Sequence, residues 1–288
     1  MSTPVALMLL MFFVMAGMML AMVVGMFCTA EGWTDATKRN GILWLTVFQD
    51  LLMFILPAAV LAIVVWKRPL AGLYMDKAPS WNAVAVVIAM QVVGLPLMNW
   101  IVDWNNGVVF PDAVERVLRS MEDVAAVQTR TLLTTDTLWQ MLAGVLVIGF
   151  LAALSEEMLF RGAILGRWLD DKVNCHVAIW AVAVLFSAIH MQFYGFVPRM
   201  LLGAWLGYLL VWTRSLWVPV LAHALNNSIV VVAWWLDGKG FVDGDAIDRI
   251  GVPQAGQFPL LATLSLVATL AVIAYSLHHV KQSPEDKL

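Results

Sequence analysis

The sequence predicts an all-α membrane protein, a polytopic bundle of about eight transmembrane helices with an amphipathic interfacial helix in the connector 102–137. Three observations predict this. Hydrophobic residue types make up 61% of the 288 residues and charged ones 13%, whereas a soluble domain carries about 25% charged residues. Apolar runs long enough to cross about 30 Å of hydrocarbon recur along the chain. The 14 tryptophans fall mostly near the ends of those runs, as interfacial belts do. The net charge of −3 comes with no basic cluster and no long acidic tail, so nucleic acid is not an expected partner and membrane lipid is. Cys28 and Cys175 give neither a disulfide framework nor a zinc spacing; both read as small apolar packers. Without an internal repeat or low-complexity tract, residues 1–288 read as a single integral-membrane domain.

Residues 4–28 form the first span. A cleaved signal needs a charged leading region and a shorter apolar stretch; no lysine or arginine precedes Lys38, so the span is read as retained. Residues 29–40 read as a polar turn and 41–66 as the second span, closed by Trp66, Lys67 and Arg68 in an interfacial pattern. The third span is 81–101. The connector 102–137 holds six acids and three arginines. Within it Val114, Val117, Leu118, Met121, Val124 and Ala125 recur at helical spacing, which predicts a helix lying in the interface, as a plain connector or as a lid over a site. The fourth span runs from Trp139 past Arg161 toward Trp168, the fifth covers 177–193 and the sixth 199–213, which is short. The seventh is 216–236 and the eighth 258–277. Loop 237–257 is glycine-rich and acidic, and the tail 281–288 is polar and reads as loose. Setting Arg161 aside, lysines and arginines split eight to eight across the membrane. The acidic long connectors lean toward both termini in the cytoplasm, although acids weigh little in the positive-inside rule.

Polar residues inside the spans carry the chemistry. Glu156, Glu157 and Arg161 lie near the end of the fourth apolar run, where each charge costs roughly 2.5–3.5 kcal/mol to insert. Glu157 and Arg161 are i, i+4 neighbours able to neutralise each other. Glu156 points about 100° away and is left free for chemistry; the plainer reading has both acids bonding neighbouring helices. Phe186 and His190 are again i, i+4, in the fifth span. His223 and Asn227 share a face of the seventh, with Asn226 displaced but near. Each feature alone suits a packing residue. Together they bring a carboxylate, two imidazoles and an amide from three spans, and intramembrane polar groups face the bundle interior. Such a pocket can activate water and hold an oxyanion. Asp50 reads as an interfacial acid or as a partner of Arg161. His176, His278 and His279 read as exposed or interfacial.

The ordered pattern Glu-Glu-x-x-x-Arg (156–161), Phe-x-x-x-His (186–190) and His-x-x-x-Asn (223–227) resembles the CPBP family, which contains the CAAX prenyl endopeptidases and the bacteriocin-processing, or Abi, proteins. The chain looks like a bacterial member, with its motif-bearing core at about 138–236. The resemblance implies catalytic Glu156, His190, His223 and Asn227, supported by Glu157, Arg161 and Phe186. It also implies a bacterial inner-membrane location and a peptide or protein substrate.

The chemistry expected is hydrolysis of a peptide bond by water that Glu156 activates and His190 positions, with His223 and Asn227 holding the oxyanion and no cofactor required. Zinc is the rival, with Glu156, His190 and His223 as ligands, since two histidines and a glutamate are a known catalytic set; no His-Glu-x-x-His motif demands it. A non-catalytic immunity or scaffold protein is a further alternative, as is a transporter using the acid and histidines as a proton relay.

Overall fold

A computed structural model describes residues 2–30 and 35–280, without the side chains of 27–30, 35 and 36. The middle of the turn expected at 29–40, the packing of Cys28 and the tail expected at 281–288 lie outside the described residues. Among the described residues there are helices and no strands. Seven helices are long and apolar enough to cross a membrane, and the protein is an integral, multi-pass membrane protein.

Among the described residues, nine longer helices build the bundle and its connector. They are α1 (Thr3–Ala30), α2 (Thr37–Val65), α3 (Trp81–Asn106), α4 (Asp112–Leu133), α5 (Leu138–Asp170), α6 (Cys175–Ala188), α7 (Phe196–Thr213), α8 (Trp217–Gly238) and α9 (Leu260–His279). Each expected span has its helix, with two differences. The helix that carries the second span extends back from Thr37 to Asp35, inside the expected turn. The fifth is not a full span: α6 has 14 residues, about 21 Å at 1.5 Å per residue, short of about 30 Å of hydrocarbon. An apolar count cannot see this, because residues 189–193 stay largely apolar while the backbone turns out of the helix after Ala188.

Local chemistry sets several ends. Ser80 accepts from Ala83 N at 3.2 Å at the start of α3, and Asn174 accepts from His176 N at 3.0 Å at the start of α6. Thr137 and Gln140 form a reciprocal capping box at the start of α5, satisfying donors that a helix start leaves free. Pro96 interrupts α3, since proline lacks an N–H and crowds the preceding turn. Ser265 of α9 repairs the opening: its hydroxyl accepts from Leu97 N and donates to Val93 O. That contact holds α9 against α3.

The connector helix α4 forms as expected. Only Leu133 in it is buried, and Val114, Val117, Val124 and Val127 stay exposed, an apolar stripe left uncovered by the described residues. Arg39 ties this layer to the bundle by donating to Leu132 O at 3.0 Å and Gln140 O at 2.9 Å. The main core gathers side chains of α1, α2, α5, α6, α7 and α8, including Phe54, Leu61, Phe160, Ile179 and Phe186. α6 and α7 approach closely at Gly203 and Gly207. A Cβ at Gly203 would lie 3.3 Å from Ala183, and one at Gly207 would lie 2.9 Å from Ile179. Small residues four apart allow such contact between membrane helices.

Candidate active site

The site is built around Arg161, the largest fully buried side chain among the described residues. Its Nη1 donates to Glu157 Oε1 at 2.7 Å and its Nη2 to Gly203 O at 3.0 Å, and its guanidinium carbon stands 4.6 Å from the centre of the Phe186 ring. Glu157 and Arg161 are both 0% exposed. Further hydrogen bonds help a buried pair offset its desolvation, although Glu157 Oε2 and Arg161 Nε find no partner among the described residues. Here the second partner is His223, whose Nδ1 donates to the same Glu157 Oε1 at 2.9 Å. Glu157 therefore joins α5 to α8, and Arg161 joins α5 to α7.

Glu156 points elsewhere, as the helical geometry of α5 requires. Its side chain is 16% exposed, and its Oε2 lies 3.8 Å from His223 Nε2. That oxygen has no hydrogen-bond partner among the described residues. His190 sits on the turn after α6. Its Nδ1 donates to Phe186 O at 2.8 Å, occupying a carbonyl that the helix end leaves unpaired, and its ring packs 5.1 Å from that of Phe186. With Nδ1 donating, a neutral imidazole keeps its Nε2 as an acceptor. The same logic applies to His223: its Nε2 accepts in the neutral ring and donates only in the imidazolium.

Asn227 Nδ2 donates to Ile148 O at 3.2 Å, and Asn226 Nδ2 donates to Asn227 Oδ1 at 3.3 Å. Ile148 lies in a π-helical stretch of α5, Val145–Leu151, and a second such stretch, Met158–Leu165, contains Arg161. Widened turns of this kind recur at functional sites. One amide hydrogen of Asn227 remains for a ligand.

Glu156, His190, His223 and Asn227 all line one cavity of about 340 Å³, and Phe186 lines it with them. Glu157 and Arg161 lie behind this wall. Sequence reasoning missed two polar members of the lining, Arg199 and Asn226. The helical spacing of α8 displaces Asn226 from the His223–Asn227 face while keeping it near, and no motif marks Arg199. Asp50 is a third surprise. It is 4% exposed, so it is no interfacial acid. It forms no ion pair with Arg161 either; its electrostatic neighbour is Glu156. His176 is exposed and bonds Tyr208 Oη at 2.8 Å. A larger cavity of about 630 Å³ adjoins the first through Met98, Leu202 and Asn226, with Trp180, Trp205 and Trp212 in its largely apolar lining.

Among the described residues no group of three or more His, Cys, Asp or Glu side chains is gathered for a metal ion.

Residues 138–229 match the Type II CAAX prenyl endopeptidase Rce1-like family. The match runs from the start of α5 into α8 and takes in every residue of the three motifs. Over 89 residues the chain is 27% identical to the uncharacterized protein YpbD of Bacillus subtilis, covering 30% of this chain and 42% of that one. Over 88 residues it is 28% identical to a Bacillus subtilis protein named "Putative membrane peptidase YdiL", covering 31% of this chain and 36% of the relative. The chain thus spans less than half the length of either relative. No solved structure matches it significantly.

Proposed function

We propose that the protein is an intramembrane endopeptidase of the CAAX-protease-like kind, hydrolysing a peptide bond with water activated by Glu156 in the α5–α8 cavity. The observation that carries the reading is the joint lining of one cavity by Glu156, His190, His223 and Asn227, with Glu156 Oε2 unpartnered there. The family match over the same helices supports it, as does the name of one relative.

Water bound at Glu156 gives up a proton to the carboxylate while His190 Nε2 accepts a hydrogen bond from the same water and fixes its position. The oxygen attacks the scissile carbonyl. The resulting oxyanion takes hydrogen bonds from the remaining amide hydrogen of Asn227 and from His223 as imidazolium. The Glu157 carboxylate, 2.9 Å from His223 Nδ1, is the counter-charge for the ring at this step, since Glu156 is by then neutral. Glu156, now protonated, returns the proton to the leaving amine as the C–N bond breaks. Glu157 and Arg161 orient His223 and touch no substrate. The adjoining apolar cavity suits a hydrophobic stretch of substrate beside the scissile bond, and the relatives' source favours a bacterial plasma membrane.

The test is turnover by purified wild-type and Glu156→Gln protein on membrane extracts. Glu156→Gln is expected to lose cleavage while melting at the wild-type temperature. A variant that cuts as fast as wild type would remove Glu156 from the chemistry.

A further inference from the structure

We propose that Arg199 makes the cavity an anion subsite, so that the peptide held there carries a carboxylate close to the scissile bond; this rests on the proteolytic reading above and names its substrate class. Arg199 stands in the first turn of α7 and lines the same cavity as Glu156, His190 and His223. Its situation differs from that of three ion-paired arginines and resembles that of Arg39, which also donates only to uncharged oxygens but does so away from the cavity. Arg161 is paired with Glu157, Arg119 with Glu115, and Arg167 with Asp170 and Asp171. Arg199 forms no ion pair among the described residues. It donates instead to two uncharged oxygens of Gln192, with Nη1 to the carbonyl at 3.3 Å and Nη2 to Oε1 at 2.9 Å. Glu122 and Glu156 bear on it electrostatically, and Glu122 in turn accepts from Gln192 Nε2 at 3.4 Å.

Two further features fit a guanidinium kept for a ligand. A Cβ at Gly195 would lie 3.0 Å from Arg199 Nη2 and 3.6 Å from its Cζ. The backbone there has φ −116°, open to any residue, so the missing side chain serves space and not conformation. Gly195 is itself part of the cavity wall. The neighbouring wall includes the apolar Met98, Val102 and Leu202, so the carboxylates that bear on Arg199 are those of Glu122 and Glu156, neither in an ion pair with it among the described residues. A guanidinium is weakly hydrated and matches a carboxylate in two-pronged fashion. The anionic groups a peptide carries are its C-terminal carboxylate and the side chains of Asp and Glu.

A randomised heptapeptide library, made half as free acids and half as C-terminal amides, tests this by retention on full-length Glu156→Gln protein in detergent micelles, read by mass spectrometry. Free acids, or amides containing Asp or Glu, should be enriched about ten- to hundredfold over neutral amides, the range expected of a charged hydrogen bond. Enrichment of free acids assigns the C-terminus, and enrichment of acidic amides assigns the side chain. Adding Arg199→Gln or Gly195→Leu should erase the preference, and Arg199→Lys should restore part of it. Equal retention of neutral amides, no retention at all, or a preference that survives Arg199→Gln overturns the subsite. The acid–amide comparison needs no change at Arg199, so a misfolded variant cannot hide the answer. If acids are selected while wild-type protein cuts nothing in the same library, the subsite stands and the proteolytic reading falls.

Discussion

Glu156 and Glu157 are adjacent in the chain and differ in surroundings. Glu157 is sealed between Arg161 and His223, whereas Glu156 reaches the cavity with one oxygen unpartnered. Glu157→Gln leaves a buried guanidinium without its counter-charge, and Arg161→Ala leaves a buried carboxylate. Each should cost about 3–5 kcal/mol of stability, seen as a lower melting temperature in detergent, while Glu156→Gln should melt as wild type. Equal melting of all four proteins would contradict this division of roles. Asn227→Ala should lower turnover about 10²–10³-fold, the usual cost of losing one oxyanion donor, as measured by kcat on any substrate found. The Glu157–Arg161 pair could be read from sequence because i, i+4 spacing is a local rule. The His223–Glu157 bond could not, since it joins residues 66 apart. Arg199 escaped because the residues that share its cavity, Met98 and Val102 of α3 and Glu156 of α5, are distant in the chain.

At the scale of elements, the short helix α6 carries both Phe186 and the turn that holds His190, so its seat on α7 sets the site. That seat depends on Gly203 and Gly207. Gly207→Val would drive a side chain into Ile179. Overpacking of this kind costs about 1–3 kcal/mol, and the displaced α6 should take His190 with it. Gly207→Val is therefore expected to lower both melting temperature and turnover, while Gly238→Ala, where an added Cβ meets nothing within 4 Å, should change neither. Loss of stability with full activity would mean that α6 can shift without disturbing the site. The long spans were legible from hydropathy because lipid and protein interior demand the same residue types. The end of α6 was not, because an apolar turn inside a bundle has the composition of a helix. The Gly-x-x-x-Gly spacing at 203–207 was a readable signal for the α6–α7 contact that apolar counting passes over.

At the scale of the whole molecule, an apolar shell of long helices surrounds a small polar cavity, and the buried Glu157–Arg161–His223 cluster ties three helices together behind it. Proteolysis that runs on water and Glu156 alone should survive dialysis against a strong chelator. Activity lost on chelation and regained with zinc alone would reassign Glu156, His190 and His223 as ligands. The transport and scaffold alternatives make no cleaved product in either case. The most direct measurement compares membrane proteomes of cells carrying the wild-type chain with those carrying Glu156→Gln at equal abundance, counting new protein termini by mass spectrometry. Termini present with wild type and missing with Glu156→Gln, and reproduced by purified wild-type protein in liposomes, are the expected result. Identical sets of termini from the two strains, with both proteins folded and inserted, would contradict a glutamate-dependent intramembrane protease.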